Sequence, residues 1–200
     1  MNIDDRLPVK YKYTNSKDYF TPWAADRSLH GAWWMPLLEK AYAKFNGNYD
    51  RIAWGSGFES LRQLTNKPIF MYNHDKYFHK TDEIFHILKQ LASEDHPMVV
   101  SCCHTPKKSD PGPNGLVNNH AYTLLDVVNV EGTKLAKLRN PWSAEGYHGP
   151  WSDKDKRWTP EVLAKFGHKL ANDGIFFMPF HLFVNKPYFR STTVSLYRDF

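Results

Sequence analysis

The clearest apolar repeat in the chain is Trp34, Leu37, Leu38, Ala41, Tyr42 and Phe45, at steps of three and four. It predicts a helix with one apolar face. Pro36 must lie in the first turn of that helix, where its missing N–H forfeits no bond, and Gly47 supplies the stop. Phe58, Leu61 and Leu64 predict a shorter amphipathic helix after the Gly55-Ser56-Gly57 turn. A third helix, capped by Thr81 and with Asp82 and Glu83 against its N-terminal dipole, buries Ile84, Ile87, Leu88 and Leu91. Met98 to Cys103 then reads as a buried strand and residues 104–115 as a long surface loop.

Beyond that loop the period changes from 3.6 to 2. Ala121 to Val130 and Thr133 to Asn140 alternate as strands about a Glu131-Gly132 turn. Residues 140–153 read as a loop, Thr159-Pro160-Glu161 as the start of a helix running to Phe166, and Gly174 to Phe180 and Ser191 to Tyr197 as further strands. Residues 1–30 show no sustained period: Ile3 to Val9 reads as a strand end that Pro8 turns, followed by an extended loop. Helices first and antiparallel strands later predict an α+β fold.

Composition narrows the partners. The 200 residues are 42% apolar and 16% aromatic, too rich for a disordered chain. The net charge of +5 is spread along the sequence, and the basic clusters at Lys107-Lys108 and Lys154 to Arg157 sit among Pro, Ser and Asp, so no nucleic-acid partner is expected. The longest apolar-rich run, Gly174 to Val184, is too short for a membrane span and contains Pro179 and His181. The N-terminus shows no signal peptide, and two adjacent cysteines, Cys102 and Cys103, make no disulfide framework. A cytoplasmic, reducing location is the expectation.

Three residues carry candidate chemistry: His120 before one strand of the hairpin, and Asn140 and Trp142 after the other. Folding about Glu131-Gly132 sets position 120 opposite roughly 143 and position 140 opposite roughly 123, and a small bulge or a shift of the turn could bring the polar pair into contact. An imidazole can take a thiol proton and return it to a leaving amine, while a carboxamide oxygen fixes the ring's tautomer. Trp142 could shield that bond from water. Spacing alone leaves open that His120 and Asn140 are ordinary strand-end polar residues.

The stretch Asn119-His120-Ala121-Tyr122 and the stretch Leu138-Arg139-Asn140-Pro141-Trp142 resemble the His and Asn signatures of calpain-type cysteine proteases. Leu37 to Lys44, Trp151-Ser152-Asp153, Asp173-Gly174, Phe177-Met178 and Ile3 to Pro8 follow the same pattern in the same order. The resemblance implies a papain-like second protease subdomain, an antiparallel sheet or barrel with flanking helices, over residues 25–200, with residues 1–24 as the tail of the first subdomain or an extended linker. It implies His120 as acid/base, Asn140 as its orienting acceptor and Trp142 as a shield. The nucleophilic cysteine is expected upstream of Ile3 to Val9, so the chain reads as the His/Asn half of a protease core, inactive alone. Cys102 and Cys103, in an apolar strand, read as buried and inert.

The implied partner is the first protease subdomain or another subunit of an assembly. The other reading is a non-catalytic interaction module, a pseudoprotease docked in that assembly. The family pattern also implies Ca²⁺. Asp153 and Asp173 match its ligands, but Gly146 and Ile175 stand where carboxylates are expected, with Glu145 one residue away, so calcium is doubtful and no other cofactor is expected. Asn119 replaces the usual Gly before the His and is expected to crowd the cleft. His74, His79, His86 and His104 lack zinc spacing and read as surface or core-edge residues; Trp33, Trp34 and Trp54 read as core or interface aromatics.

Overall fold

A computed structural model describes residues 2–12, 19–22, 32–102, 112–144, 146–185 and 187–196. The chain divides into two compact units, Met1–Gly55 and Ser56–Phe200. The boundary expected between residues 24 and 25 falls outside the described residues.

In the first unit, β1 (Val9–Lys12) pairs antiparallel with β2 (Tyr19–Pro22), Tyr11 opposite Phe20. The sequence suggested a strand end at Ile3 to Val9 and then a loop; ladders of four residues are too short to show alternation. Helix α1 (Trp34–Asn46) forms as expected, with Pro36 in its first turn and Gly47 ending it at φ +111°. A short helix α2 (Tyr49–Ile52) follows, its first turn closed by the Asn48 side chain accepting from the Arg51 N–H at 3.0 Å. Lys40 on α1 pairs with the Asp4 carboxylate, and that hydrogen bond holds the carboxyl below its ordinary range. Along the α1 stripe Trp34, Leu38 and Phe45 are exposed, while Leu37, Ala41 and Tyr42 are half-buried. Trp33, Trp34 and Trp54 are 45%, 56% and 65% exposed, which corrects the core half of their core-or-interface reading.

The second unit is built on a six-stranded, wholly antiparallel sheet. Its strands are β3 (Ile69–Asn73), β4 (Met98–Cys102), β5 (Ala121–Val130), β6 (Thr133–Arg139), β7 (Ile175–Pro179) and β8 (Phe189–Ser195), in the order β3-β8-β4-β5-β6-β7. The sheet is open, with β3 and β7 at its edges, so the barrel alternative is corrected. Strand β3 escaped the sequence reading because its exposure does not alternate: Phe70 and Met71 are both exposed on this edge. Strand β8 starts two residues earlier than expected, and the proposed end at Tyr197 lies outside the described residues. Of the expected loop, residues 104–111 lie outside the description too, while Pro113–Gly115 forms one 3₁₀ turn.

Helix α3 (Gly57–Thr65) is capped by Ser56, whose hydroxyl accepts from the Phe58 N–H at 3.2 Å. Helix α4 (Thr81–Ser93) buries Ile84, Phe85 and Leu88. Fully burying an aliphatic side chain contributes about 1.5–3 kcal/mol, so these residues anchor the helix on the sheet. Thr81 is its first residue rather than its cap; Lys80 stands before it without a side-chain capping bond. Helix α5 (Pro160–Phe166) has the expected start, with Thr159 accepting from the Val162 N–H at 3.4 Å. A short helix α6 (Phe180–Phe183) follows β7.

Two cores flank β6 and β7. Ala136, Leu138, Phe176 and Met178 join the larger one with Tyr122, Leu124, Val127 and the buried face of α4. Leu135 and Phe177 point into a smaller one with Trp151, Trp158 and Phe166. His74 is fully buried in the second unit, correcting its surface or core-edge reading; Nδ1–H donates to the Phe189 carbonyl at 3.2 Å and Nε2 accepts from the Thr192 hydroxyl at 2.9 Å. His79 and His86 are exposed, and His104 lies outside the described residues. Among the described residues, no helix is long and apolar enough to cross a membrane.

Candidate active site

The site is set by one extra residue in β5. Val130 pairs with Thr133 and Val127 with Ala136, but the register shifts between Leu124 and Asp126, so Thr123 pairs with Arg139. Leu125 is the bulged residue, and it is exposed. Strand side chains alternate faces, so a regular ladder that buries Val127 would bury residues 125, 123 and 121 and turn 120 outward. The bulge reverses the phase: Val127, Leu124 and Tyr122 are all buried, and position 120 falls on their side. Continuing the shifted register sets Tyr122 opposite Asn140, one residue from the pairing that a bulge-free hairpin suggested. On β6 the same face carries Ala136, Leu138 and then Asn140, which is 2% exposed.

His120 and Asn140 therefore meet, with Nε2 of the ring 3.0 Å from Oδ1 of the carboxamide. The carboxamide has no freedom to flip. Its oxygen also accepts from the Trp142 backbone N–H at 3.1 Å, and its Nδ2 donates to the Ala144 carbonyl at 3.1 Å. With an acceptor fixed in front of Nε2, the ring must carry its proton there, which leaves Nδ1 as the basic nitrogen. The Trp142 indole lies against the ring at 4.3 Å between centroids, tilted 44°, with Tyr122 edge-on at 5.0 Å on the other contact. Burial pushes the His120 pKa below the ordinary histidine value, and the Asn140 bond opposes that shift. The ring is thus a neutral base at neutral pH.

The segment leading into His120 is held locally. The Tyr122 hydroxyl oxygen accepts from the Val117 N–H at 2.9 Å, and Asn119 sits at φ +53°, a left-handed conformation that Gly takes freely and Asn tolerates better than most residues. On the far side, the Gly174 carbonyl accepts from the Asn140 N–H at 2.8 Å. Gly174 is at φ +84°, and a Cβ there would lie 2.8 Å from the Asn140 carbonyl oxygen. Sequence reading missed Gly174 and Ala144 as supports: the Asp-Gly pair signals a turn, but only the β6–β7 pairing carries that turn to Asn140.

The profile describing calpain family cysteine proteases matches residues 1–195. The chain belongs to this family. Calpain-9 of Rattus norvegicus is 32% identical over 194 residues, covering 90% of this chain and 26% of the relative. Calpain-A of Drosophila melanogaster is 32% identical over 201 aligned positions, 92% of this chain and 22% of the relative. Calpain-7 of Sus scrofa is 32% identical over 170 residues, 80% and 19% respectively. The chain thus spans about a quarter or less of the length of these calpains.

The two carboxylates expected by resemblance to calpains to bind calcium are each engaged within the chain. Oδ1 of Asp153 faces Nε2 of His168 at 2.7 Å, and Oδ2 accepts from the Ala171 N–H at 3.1 Å. Asp173 spends Oδ1 on the Ile175 N–H at 2.8 Å. Gly146 and Ile175 supply no carboxylate, and Glu145 lies outside the described residues. Among the described residues, no group of three or more His, Cys, Asp or Glu side chains is placed to hold a metal. Ca²⁺ takes roughly six to eight oxygen ligands, and this donor set does not fit it. Cys102 ends β4 opposite Phe189, while its side chain, and the whole of Cys103, lie outside the described residues.

Proposed function

We propose that this chain supplies the acid/base half of a calpain-like cysteine endopeptidase. The observation that carries the proposal is the locked Asn140 carboxamide, which commits His120 to a proton on Nε2 and a lone pair on Nδ1. In this reading Nδ1 takes the proton of a cysteine thiol, the thiolate attacks the scissile carbonyl carbon, and the imidazolium returns the proton to the departing amine. Asn140 stabilises the charged ring, and Trp142 limits water at the bond.

The nucleophile comes from another segment or another chain. Cys102 lies in a central strand of the sheet, which supports this assignment. Residues 25–200 act as the second protease subdomain, residues 1–24 as the tail of the first, in a reducing, cytoplasmic compartment where the thiol stays free. The partner is the Cys-bearing first subdomain. A second reading, a non-catalytic module docked in an assembly, is favoured by the exposure of Trp142, 63%, beside the dyad.

The test is complementation. The 200-residue chain is assayed on a fluorogenic peptide alone and with a calpain-family fragment bearing the nucleophilic cysteine, then probed with a thiol-reactive peptide warhead. No turnover is expected alone, and labelling in the complex should fall about a hundredfold or more with His120→Ala. Amide hydrolysis by the chain alone, or labelling indifferent to His120→Ala, overturns the acid/base reading. A complex that forms but never labels favours the docked module instead.

A further inference from the structure

Asp153 and His168 meet with side chains only 11% and 2% exposed. The ring is packed between Trp158 and Phe177, each with its centroid 4.9 Å away. His168 closes the end of α5, its N–H donating to the Leu163 carbonyl at 3.0 Å. The second Asp153 oxygen gathers in Ala171, three residues on, so one carboxylate ties the 168–171 turn to the Trp151–Asp155 segment. From Ala171 the path to the dyad is short. The Asp173 N–H donates to the Ala171 carbonyl at 2.8 Å, Asp173 then accepts from Ile175, and Gly174 between them accepts from the Asn140 N–H. Ile175 itself pairs with Arg139, the residue before Asn140.

We propose that the His168–Asp153 pair stands in for a cation: it clasps the 151–155 and 168–174 segments together and, through Gly174, positions Asn140 against His120 without calcium. Nε2–H of His168 on Oδ1 and the Ala171 N–H on Oδ2 engage both oxygens of the carboxylate, and the flanking aromatic rings hold the imidazole in that place. His168 and Asp153 are then positioning residues, acting on the dyad through backbone contacts. This inference rests on the dyad reading above.

The test uses the full chain in chelator-treated buffer and reads the His120 ring nitrogens by NMR. His168→Phe keeps the aromatic volume and deletes the donor, whereas His168→Gln keeps a donor nitrogen near the same position. With His168→Phe, the Nδ1–H tautomer of His120 should rise roughly threefold or more as Asn140 loosens, while His168→Gln stays at the wild-type signature. Millimolar calcium chloride should leave the wild-type His120 and Ile175 signals where they are. A folded His168→Phe variant with unaltered His120 signals overturns the clasp, as does a calcium-induced shift in the wild type. Should His168→Phe not fold, Asp153→Asn decides in the same way: a displaced tautomer supports the clasp and an unchanged one overturns it. None of these readouts needs a thiol, so a failed clasp leaves the complementation result standing, and failed complementation leaves the ring signals as they are.

Discussion

Asn140 holds the His120 ring through an oxygen that cannot turn away, because the Trp142 N–H and the Ala144 carbonyl fix both ends of its amide. Removing the acceptor in Asn140→Ala should lower the His120 pKa further, since the lost bond is the one that raises it against burial. Stability should fall by about 1 kcal/mol as the half-buried ring N–H loses its partner. Asn140→Asp should move the pKa the other way, because a carboxylate beside the ring favours its charged form. An NMR titration of His120 in the two variants checks both signs; a rise in Asn140→Ala would contradict the assignment.

Trp142 presses on the ring while remaining mostly open to solvent. Trp142→Ala should therefore admit water to His120 and raise its pKa toward the ordinary histidine value, with a stability change of less than about 1 kcal/mol. The same titration, paired with a denaturation curve, separates this shielding role from a structural one: a large stability loss with no pKa change would contradict it.

The bulge makes a prediction about a deletion. Removing Leu125 restores an unbroken β5–β6 ladder and keeps Val127, Leu124, Tyr122 and His120 on one face, so the Nε2–Asn140 bond should survive. Long-range NMR contacts between His120 and Asn140 in the deletion variant provide the check. Their loss would show that the bulge does more than set the phase of the strand.

His74 should make the fold acid-sensitive. Burial lowers its pKa from 6.5 to about 4, against the opposing pull of its bond to the Phe189 carbonyl and of nearby Asp75. The unfolded chain takes up this proton near pH 6.5 and the folded chain does not, so stability is lost as pH falls through that window and the loss levels off below about 4. The full effect is about 3 kcal/mol. His74→Gln should be less stable at neutral pH and show a flatter acid limb in urea denaturation between pH 7 and 4; matching slopes for the two proteins would refute the assignment.

Local chemistry was readable directly from the chain. Gly47 after the apolar repeat ended α1, Thr159-Pro160 opened α5, and Glu131-Gly132 turned the hairpin, because capping and turn preferences depend on residues a few positions apart. The order of the His, Asn and Trp signatures was legible for the same reason, each being a short contiguous string. Their meeting in space was not. It depends on Leu125 reversing the phase of β5, and a bulge leaves no mark in an alternating pattern of apolar residues. The His168–Asp153 contact, the support of Asn140 by Gly174 and the burial of His74 each join residues distant in the sequence that packing or strand pairing brings together. Such contacts exist only once the sheet has closed its register, so the folded backbone, not the order of residues, decides them.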